Sequence, residues 1–397
     1  MSHVKLGDLF RVGSSKRVLQ SQWVTEGVPF YRGREITKLT ENGFVDNDLF
    51  ITEDLFNELS QRSGVPQAGD IMITAIGTIG NSYIVCPDDR FYFKDASVLW
   101  LARNSDVSSE YINHWLKSPL FLDQLDRGNG ATVDTLTIQK LQGVLVHVPS
   151  ASEQRRIVTL LDEAFADIAT AKANAEKNLQ NARELFNSKL DAIVVHAQEN
   201  GEVVALSELA TDITDGDHMP PPKVQHGLPF ITIGNIDKQT RTIDFSDTFK
   251  VPREYFDALK ANKRPMRGDV LYTVTGSFGI PVLVEDDAEF CFQRHIGLIR
   301  PKADVDSTWL HYLLQSPQVF KQAADGATGT AQKTVSLKVL RNLQVPRISL
   351  KAQSAHVETL RSVEAECRRL ESIYRQKLTA LDDLKKSLLH QAFSGLL

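Results

Sequence analysis

The longest regular pattern of apolar positions begins after residue 150. From residue 153 to about 197 the chain has no glycine or proline. Apolar residues recur there at alternating spacings of four and three, which is the heptad seam of a coiled coil. After a slip of one residue the seam continues, as it does past a stutter, and Asn200 with Gly201 marks the end of the helix. The seam positions are Ile157, Leu161, Ala164, Ile168, Ala171, Ala175, Leu179, Ala182, Phe186, Leu190 and Ile193.

The same pattern returns in residues 351–394, and Gly395 closes it. At roughly 1.5 Å per residue, a helix of about 44 residues is about 66 Å long, more than the width of a small domain. This length favours two helices that bury their seams against each other over two amphipathic helices that each lie on one domain. We expect an antiparallel pair that carries a domain at each end, related by a pseudo-twofold axis. The second seam is Val357, Leu360, Val363, Cys367, Leu370, Tyr374, Leu378, Leu381, Leu384 and Leu388.

Shorter patterns precede each long helix. Brief apolar runs bounded by turn residues predict strands, and a polar N-cap with a following proline predicts a short helix. Ser109 is the expected N-cap and Pro119 the stop in the first half, and Pro317 is the stop in the second. The predicted strands are residues 70–76, 96–101, 144–148, 270–274 and 295–299, and the predicted helices are 109–117 and 308–314.

These patterns occur twice because half of the chain is repeated. Matching positions lie 198 to 200 residues apart over the whole length: Gly27, Pro29 and Phe30 with Gly227, Pro229 and Phe230; Gly69 and Asp70 with Gly268 and Asp269; Ser118 with Ser316; Gln154 with Gln353. Such a period is far longer than the roughly 20–50 residues of a solenoid repeat. The predicted fold class is α+β, with two tandem mixed α/β domains (1–150 and 200–348), a central coiled-coil helix (151–199) and a C-terminal one (349–397).

Composition narrows the function. The 397 residues are 42% hydrophobic, enough for two cores, and the net charge of −5 argues against a stand-alone nucleic-acid binder. The cysteines Cys86, Cys291 and Cys367 are far apart, which fits a reducing cytoplasm and offers no metal signature. No apolar run is long enough for a signal peptide or a membrane span, so we expect a cytoplasmic protein with no membrane partner.

Catalytic motifs are missing from the sequence. It contains no P-loop, no HExxH and no Asp/Asn-Pro-Pro-aromatic motif. Asp383 and Lys385 have the spacing of some nucleases but fit a solvated helix face better. The cluster of Asp212, Asp215, Asp217 and His218 could suggest a metal, yet aspartate and glycine are also typical turn residues. We predict no metal site, no cofactor in this chain and no catalytic residue.

Two glycine-rich turns carry the candidate binding chemistry. Gly77 and Gly80 follow the first predicted Gly-Asp strand, and Gly276 and Gly279 follow the second. Spacing alone favours plain hairpin turns, whereas the small hydroxyl and amide groups around them suit base edges and phosphates. The candidate DNA-binding residues are Arg32, Arg34, Thr74, Thr78, Asn81, Lys94, Arg127, Asn129, Thr132, Thr232, Asn235, Thr273, Thr275, Ser277, Arg294, His295, Gln332, Lys333 and Thr334.

Several stretches, in this order, resemble the specificity (S) subunits of type I restriction–modification enzymes over essentially the whole chain. The entry to the second helix, Leu350 to Gln353, lacks the glutamate of the family's pattern, which leaves the start of that helix open, whereas Glu153 and Gln154 match it. The stretches are Asp215-Gly216-Asp217-His218 to Ile231, Arg267-Gly268-Asp269-Val270-Leu271, Gln293-Arg294-His295 to Pro301, and Lys385-Lys386-Ser387 to Gly395.

The resemblance implies two target recognition domains, each of which reads one half of a split duplex DNA site. The helices would set the spacer and dock two modification (methyltransferase) subunits, which carry the S-adenosylmethionine chemistry, and restriction or translocase subunits could join the complex. A different hypothesis is a coiled-coil adaptor with two protein-binding domains, because the polar loops could also contact protein. The bases recognised and the spacer length do not follow from the residues.

Overall fold

A computed structural model describes residues 3–125, 135–218, 221–330 and 332–397. The described residues before the first long helix are a mixture of helices and strands, and we call the segment 1–150 domain 1. Its elements are strands β1 (His3–Lys5), β2 (Phe10–Gly13), β3 (Val28–Tyr31), β4 (Phe50–Ile51), β5 (Ile71–Thr74), β6 (Ser82–Ile84), β7 (Tyr92–Phe93), β8 (Val98–Arg103) and β9 (Leu145–His147), and helices α1 (Leu6–Leu9), α2 (Gly33–Asn42), α3 (Glu53–Ser63), α4 (Ser109–Leu116), α5 (Pro119–Leu125) and α6 (Ile138–Gly143).

Three sheets organise domain 1. Strands β2, β8, β5 and β6 form an antiparallel sheet in that order. Strand β3 lies between β4, antiparallel to it, and β7, parallel to it. Strands β1 and β9 pair at the two ends of the domain's sequence. Ser108 is the N-cap of helix α4, and its hydroxyl accepts from the Tyr111 amide at 3.1 Å. The predicted N-cap, Ser109, is therefore wrong by one residue.

The central helix α7 (Ala151–Asn200) leads into domain 2, residues 200–348, which repeats this topology. Strands β11, β17, β14 and β15 match the four-stranded sheet, β13, β12 and β16 the mixed sheet, and β10 and β18 the end pair. The elements are β10 (Glu202–Ala205), β11 (Ala210–Asp215), β12 (Leu228–Ile231), β13 (Phe249–Val251), α8 (Arg253–Ala258), β14 (Val270–Thr273), β15 (Pro281–Leu283), β16 (Cys291–Phe292), β17 (Ile296–Pro301), α9 (Ser307–Gln315), α10 (Pro317–Gly326), α11 (Leu337–Arg341) and β18 (Gln344–Arg347), followed by α12 (Leu350–Ser394).

The compact units of the chain each contain one domain and parts of both long helices. The first unit is residues 1–175 with 376–397, and the second is 176–375. In the first, Ile157 and Leu161 of α7 pack in one cluster with Leu389 and Phe393 of α12 and with the core of domain 1. In the second, Leu190 and Ile193 share a cluster with Val357 and Leu360. The apolar seams therefore join the helices to each other and to a domain.

The two helices run antiparallel within each unit. In the first, Arg156 donates to the carbonyl of Leu397 at 2.9 Å, and Lys172 pairs with Asp382 further along α7 and further back along α12. In the second, Arg183 lies 3.4 Å from Glu371. The prediction of an antiparallel coiled coil is confirmed at this level.

The structure corrects one seam position. Ile157, Leu161, Ile168, Leu190 and Leu360 are buried, and Leu179, Leu370, Leu378 and Leu388 are half-buried. Leu384, however, is 46% exposed. Lys385 is exposed as well, with its ammonium 5.0 Å from the centre of the Phe165 ring, and the buried leucine of this part of α12 is Leu389. No helix in the described part of the chain is long and apolar enough to cross a membrane.

Candidate nucleic-acid interface

Each glycine-rich turn closes a hairpin by means of a buried threonine. Thr273 donates to the Ser277 carbonyl at 2.8 Å and accepts from the Ile280 amide at 3.0 Å. Thr74 donates to the Thr78 carbonyl in the same way and accepts from the Asn81 amide at 3.1 Å. Both hydroxyls are buried and bonded inside the turns, which gives Thr74 and Thr273 a structural role and adds no support to their predicted DNA contacts.

The glycines of these turns are required by their backbone. Gly77 and Gly80 have φ of 78° and 96°, and Gly276 and Gly279 have φ of 70° and 89°. These are left-handed conformations that side chains disfavour. What the turns expose at their tips is Thr78 in domain 1 and Ser277 in domain 2. These two remain candidates for a contact.

Domain 1 has three cations near its turn, of which Lys16 and Arg17 are exposed and Lys94 is half-buried. The loop that follows β2 contacts β7 and the loop after it: Ser15 Oγ donates to the Phe93 carbonyl at 2.6 Å, the Lys16 amide donates to Tyr92 Oη at 2.9 Å, and Ser14 Oγ accepts from the Ala96 amide at 3.3 Å. The Ala75 amide donates to the Ser97 carbonyl at 2.9 Å and joins the second loop to the turn. These contacts bring together Lys16, Arg17, Lys94 and Thr78, which we call face 1.

Lys16 and Arg17 were missed by the sequence analysis. Both are exposed, and within the described residues neither they nor Lys94 form an ion pair. A signal was available, since two adjacent cations follow Ser14 and Ser15, at the position that Asp215 to His218 occupy in the second repeat. Unpaired cations on an exposed loop are the groups that phosphates attract.

Arg32 and Arg34 are held by acids of their own domain. Arg32 caps α2 and donates to Glu35 at 3.0 and 3.1 Å, and Arg34 donates to Glu35 at 2.7 Å and to Asp48 at 2.8 Å. The Glu35 side chain is 0% exposed. Burial acts to raise the pKa of Glu35, but hydrogen bonds from both guanidiniums outweigh it and leave the pKa below its usual value. The two arginines thus have a structural role at the start of α2, where Thr37 also accepts from Asn81 at 3.0 Å.

The corresponding position in domain 2 is also structural. Asn235 Oδ1 accepts from the Thr232 amide at 2.9 Å and from the Thr232 hydroxyl at 2.8 Å, and its Nδ2 donates to the Asp247 carbonyl at 2.9 Å. Asn235 is buried. Asn235 and Thr232 cap a 3-10 turn, and this structural role adds no support to their predicted DNA contacts.

In domain 2, residues 332–334 of the loop between α10 and α11 contact the glycine turn. The Gly276 amide donates to the Lys333 carbonyl at 3.0 Å, and a Cβ on Gly276 would lie 2.8 Å from Gln332 Nε2. Thr334 donates to the buried Thr275 hydroxyl at 3.4 Å, which uses both threonines for the loop. Gln332 and Lys333 are exposed at the junction.

The two residues that precede β17, the strand paired with β14, are basic. The Val274 amide donates to the His295 carbonyl at 2.9 Å, which places Arg294 and His295 beside the turn. Burial, and then the charges of Arg294 and His218, lower the pKa of His295, so the imidazole is neutral at neutral pH. Within the described residues Arg294 and Lys333 form no ion pair. We call Ser277, Arg294, His295, Gln332 and Lys333 face 2.

The acidic cluster of domain 2 is a set of separate polar anchors. Asp212 accepts from Asn262 at 3.1 Å, Asp217 from Tyr255 at 3.0 Å, and Asp215 lies 2.8 Å from His218 Nε2. Among the described residues no group of three or more histidine, cysteine, aspartate or glutamate side chains is placed to hold a metal ion. The candidates Arg127, Asn129 and Thr132 lie outside the described residues.

Comparison of the sequence with known proteins finds one family model that matches both halves of the chain. The family model described as the type I restriction modification DNA specificity domain matches residues 1–179 and again 198–380. A putative type I restriction enzyme specificity subunit of Haemophilus influenzae is 31% identical over 162 residues, which cover 40% of this chain and 39% of that protein. The EcoBI specificity subunit of Escherichia coli is 23% identical over 363 residues, 80% of this chain and 76% of the relative.

Two solved structures share the fold. One, from a study of complex assembly and conformational transition in the type I R-M system, has a TM-score of 0.78 at 19% identity and covers 100% of this chain and 98% of its own. The HsdS subunit from Thermoanaerobacter tengcongensis has a TM-score of 0.59 at 18% identity, with 100% and 97% covered.

Proposed function

Because this chain belongs to the type I restriction modification DNA specificity family, we propose that it is the DNA-recognition subunit of such a complex. In this role each domain reads one half of a split duplex site, and the long helices fix the distance between the halves. The chain itself is non-catalytic. Two modification subunits dock on it and supply the S-adenosylmethionine chemistry, and a restriction or translocase subunit can join them.

One observation supports the proposal: the same backbone frame occurs twice and presents different polar side chains, some exposed and some half-buried. Face 1 offers three cations and the Thr78 hydroxyl, whereas face 2 offers an arginine, a lysine, a glutamine amide and a neutral imidazole. Arginine and lysine suit guanine O6 and N7, and glutamine suits adenine N6 and N7. Two faces of one fold with different polar groups are what the reading of two unlike half-sites requires.

Charge explains why the partners matter for affinity. The chain has a net charge of −5, and three cations on face 1 with two on face 2 neutralise few phosphates. The affinity for duplex DNA depends steeply on the number of phosphates that are neutralised. We propose that the modification subunits supply most of that positive surface. The salt dependence of DNA binding is then much steeper for the complex than for this chain alone, and equal slopes would contradict the proposal.

The helices suit the role of a spacer. Helix α7 has 50 residues, which at roughly 1.5 Å each is about 75 Å. Half-sites one turn of DNA apart are separated by about 34 Å, a distance shorter than this helix. The exposed sides of α7 and α12 are the surfaces that we assign to the modification subunits.

The cellular setting follows from the same role. DNA of the host is modified in the cytoplasm, and the three cysteines are free thiols, of which Cys86 is exposed. A reducing compartment suits such a thiol. We therefore propose a cytoplasmic protein.

Single-molecule methylation sequencing of host DNA, with and without this gene, tests the function. We expect the loss of one split methyladenine motif on deletion, and this result would give both half-sites and the spacer. An unchanged methylome in a host whose modification subunit is expressed would contradict the proposal. A bandshift with duplex DNA and the modification subunit separates it from the adaptor hypothesis, because an adaptor would bind the protein and leave the DNA unshifted.

A further inference from the structure

A buried glutamine stands at the start of each long helix. Gln154 is the fourth residue of α7 and Gln353 the fourth residue of α12. Gln154 is 5% exposed and Gln353 is 3% exposed. A primary amide that is buried to this degree is stable only if its donors and acceptor are hydrogen-bonded. The partners of each amide therefore show what it holds.

Both amides join the long helix to the short helix of the adjoining domain. Gln154 Oε1 accepts from the amide of Ser108, the N-cap of α4, at 2.9 Å, and its Nε2 donates to the Pro149 carbonyl at 2.9 Å. Each bond ends on backbone atoms. The geometry is thus independent of the partner side chains and fixes the backbone of three segments of domain 1: the end of β9, the start of α7 and the start of α4.

Domain 2 repeats this junction with one more bond. Gln353 Oε1 accepts from the amide of Asp306, the N-cap of α9, at 2.7 Å. Its Nε2 donates to the carbonyls of Ile348 at 2.9 Å and Asp304 at 3.0 Å. The N-caps differ between the two copies, Ser108 in one and Asp306 in the other. The glutamine and its backbone partners are the same in kind, which shows that the amide is the common element.

The short helices connect this junction to the candidate DNA faces. Helix α4 follows β8, whose first residue, Val98, comes directly after the Lys94 loop of face 1. Helix α9 follows β17, which begins directly after His295 of face 2. Hydrogen bonds weaken steeply as their angle departs from linear, so the amide resists rotation of the short helix on the long one. Such a rotation would move the face at the other end of the strand.

We propose that Gln154 and Gln353 are positioning residues that set the angle at which each recognition domain leaves its long helix, and thereby the spacer that the two half-sites must have. This inference rests on the proposed function. The glutamines touch no DNA. They act on specificity by holding each face at a fixed distance from its own long helix and in a fixed orientation to it. The base sequence of a half-site therefore does not depend on them.

Methionine variants test the inference because methionine keeps the length of glutamine and removes its hydrogen bonds. Q154M and Q353M are compared with Q376M, a matched change at an exposed glutamine of α12. The complex with modification subunits is titrated with duplexes whose spacer is shorter or longer than the natural one by a base pair. We expect each junction variant to lose at least about tenfold of its discrimination between spacers, about 1.4 kcal/mol, with unchanged half-site letters.

Glutamate variants test whether the loss of spacer discrimination grows with the number of donated hydrogen bonds that are removed. Q154E keeps the acceptor for Ser108 and loses one bond, to Pro149, whereas Q353E loses two, to Ile348 and Asp304. We expect Q353E to relax the spacer more than Q154E. If the methionine variants fail to assemble, this comparison carries the test.

Several outcomes would overturn the inference. A spacer profile like that of the wild type in variants whose melting temperature has fallen would mean a merely structural role. Altered half-site letters would mean a role in base recognition instead. If the wild-type complex itself prefers no split site, the proposed function fails, and that result is distinct from the failure of the glutamine inference.

Discussion

Replacement of Arg300 by methionine should destabilise domain 2 because it leaves the buried carboxylate of Asp269 without its charged partner. Arg300 donates to both oxygens of Asp269, at 2.9 and 2.8 Å, and the Asp269 side chain is 2% exposed while that of Arg300 is 16% exposed. In R300M the only remaining bond to the Asp269 carboxylate among those observed is from the Met266 amide, at 2.9 Å. Removal of one partner from a buried ion pair typically costs about 3–5 kcal/mol.

We expect about 3 kcal/mol, the low end of that range, because the partly open edge of Arg300 lets water approach the carboxylate. The double variant D269N/R300M removes the charge and keeps an acceptor for Met266. It should therefore be more stable than R300M by at least about 1 kcal/mol, as unpaired buried charges cost more than lost neutral hydrogen bonds. R347M is the control, since Arg347 pairs with the exposed acids Glu202 and Glu208 and such surface pairs contribute at most about 1 kcal/mol.

Hydrogen–deuterium exchange of peptides from β14 and β17, together with urea unfolding, measures these differences. A loss of about 3 kcal/mol accelerates exchange in these strands by roughly 100-fold where exchange requires opening of the domain. Peptides of domain 1 serve as an internal reference. Asp70, the counterpart of Asp269 in the first repeat, accepts from Trp100 Nε1 at 2.8 Å and from the Arg103 amide at 2.9 Å, so its hydrogen bonds do not depend on Arg300. An R300M protein within about 1 kcal/mol of the wild type, or a double variant no more stable than R300M, would refute the reasoning.

Three further predictions concern face 2, the helices and a half-buried lysine. K333A should weaken binding to one half-site only, by roughly 1–3 kcal/mol if Lys333 contacts a base; an equal loss on all DNA sequences in the same binding assay would indicate a phosphate contact. Deletion of one heptad within residues 157–193, and its partner heptad in α12, shortens the pair by about 10 Å and should change the spacer in the methylome without changing the half-site letters, whose alteration would contradict the spacer role. Burial and the charge of Lys385 lower the pKa of Lys117 to about 8, so the folded state releases this proton before the unfolded state does. The first unit should therefore gain stability between about pH 8 and pH 10.5, on the order of 3 kcal/mol; in urea unfolding at increasing pH, K117M should lose this gain, and an equal gain in both proteins would assign it to other groups.

Much of the fold was predictable because its signals are local and repeated. A heptad seam over more than forty residues without glycine or proline specifies a long helix by itself, and α7 and α12 begin within two residues of the predicted positions. The strands β5, β8, β14 and β17 overlap the predicted ones for a similar reason, since a short apolar run bounded by turns has few other solutions. Helices α2 and α3 were not predicted, because their apolar stripes are short and most of their residues are polar.

The candidate site was predictable only in part. The glycine turns lie where the sequence predicts them, after β5 and after β14, but the sequence does not show that Thr74 and Thr273 close them. A hydroxyl next to a tight turn looks the same in the sequence whether it faces DNA or closes the turn. Thr74 and Thr273 close the turn because the strand buries them, and burial is a property of the whole sheet.

The sequence by itself determined that the chain is a duplicated unit, that two long helices follow the two domains and that catalytic motifs are missing. Tertiary structure decided which polar groups remain available for a ligand. Lys16 reaches the Lys94 loop across 76 residues, through its bond to Tyr92, and Arg32 and Arg34 are neutralised by Glu35 and Asp48. Hydrogen bonds and ion pairs act over a few ångströms in space, so residues far apart in sequence decide whether a given side chain is free.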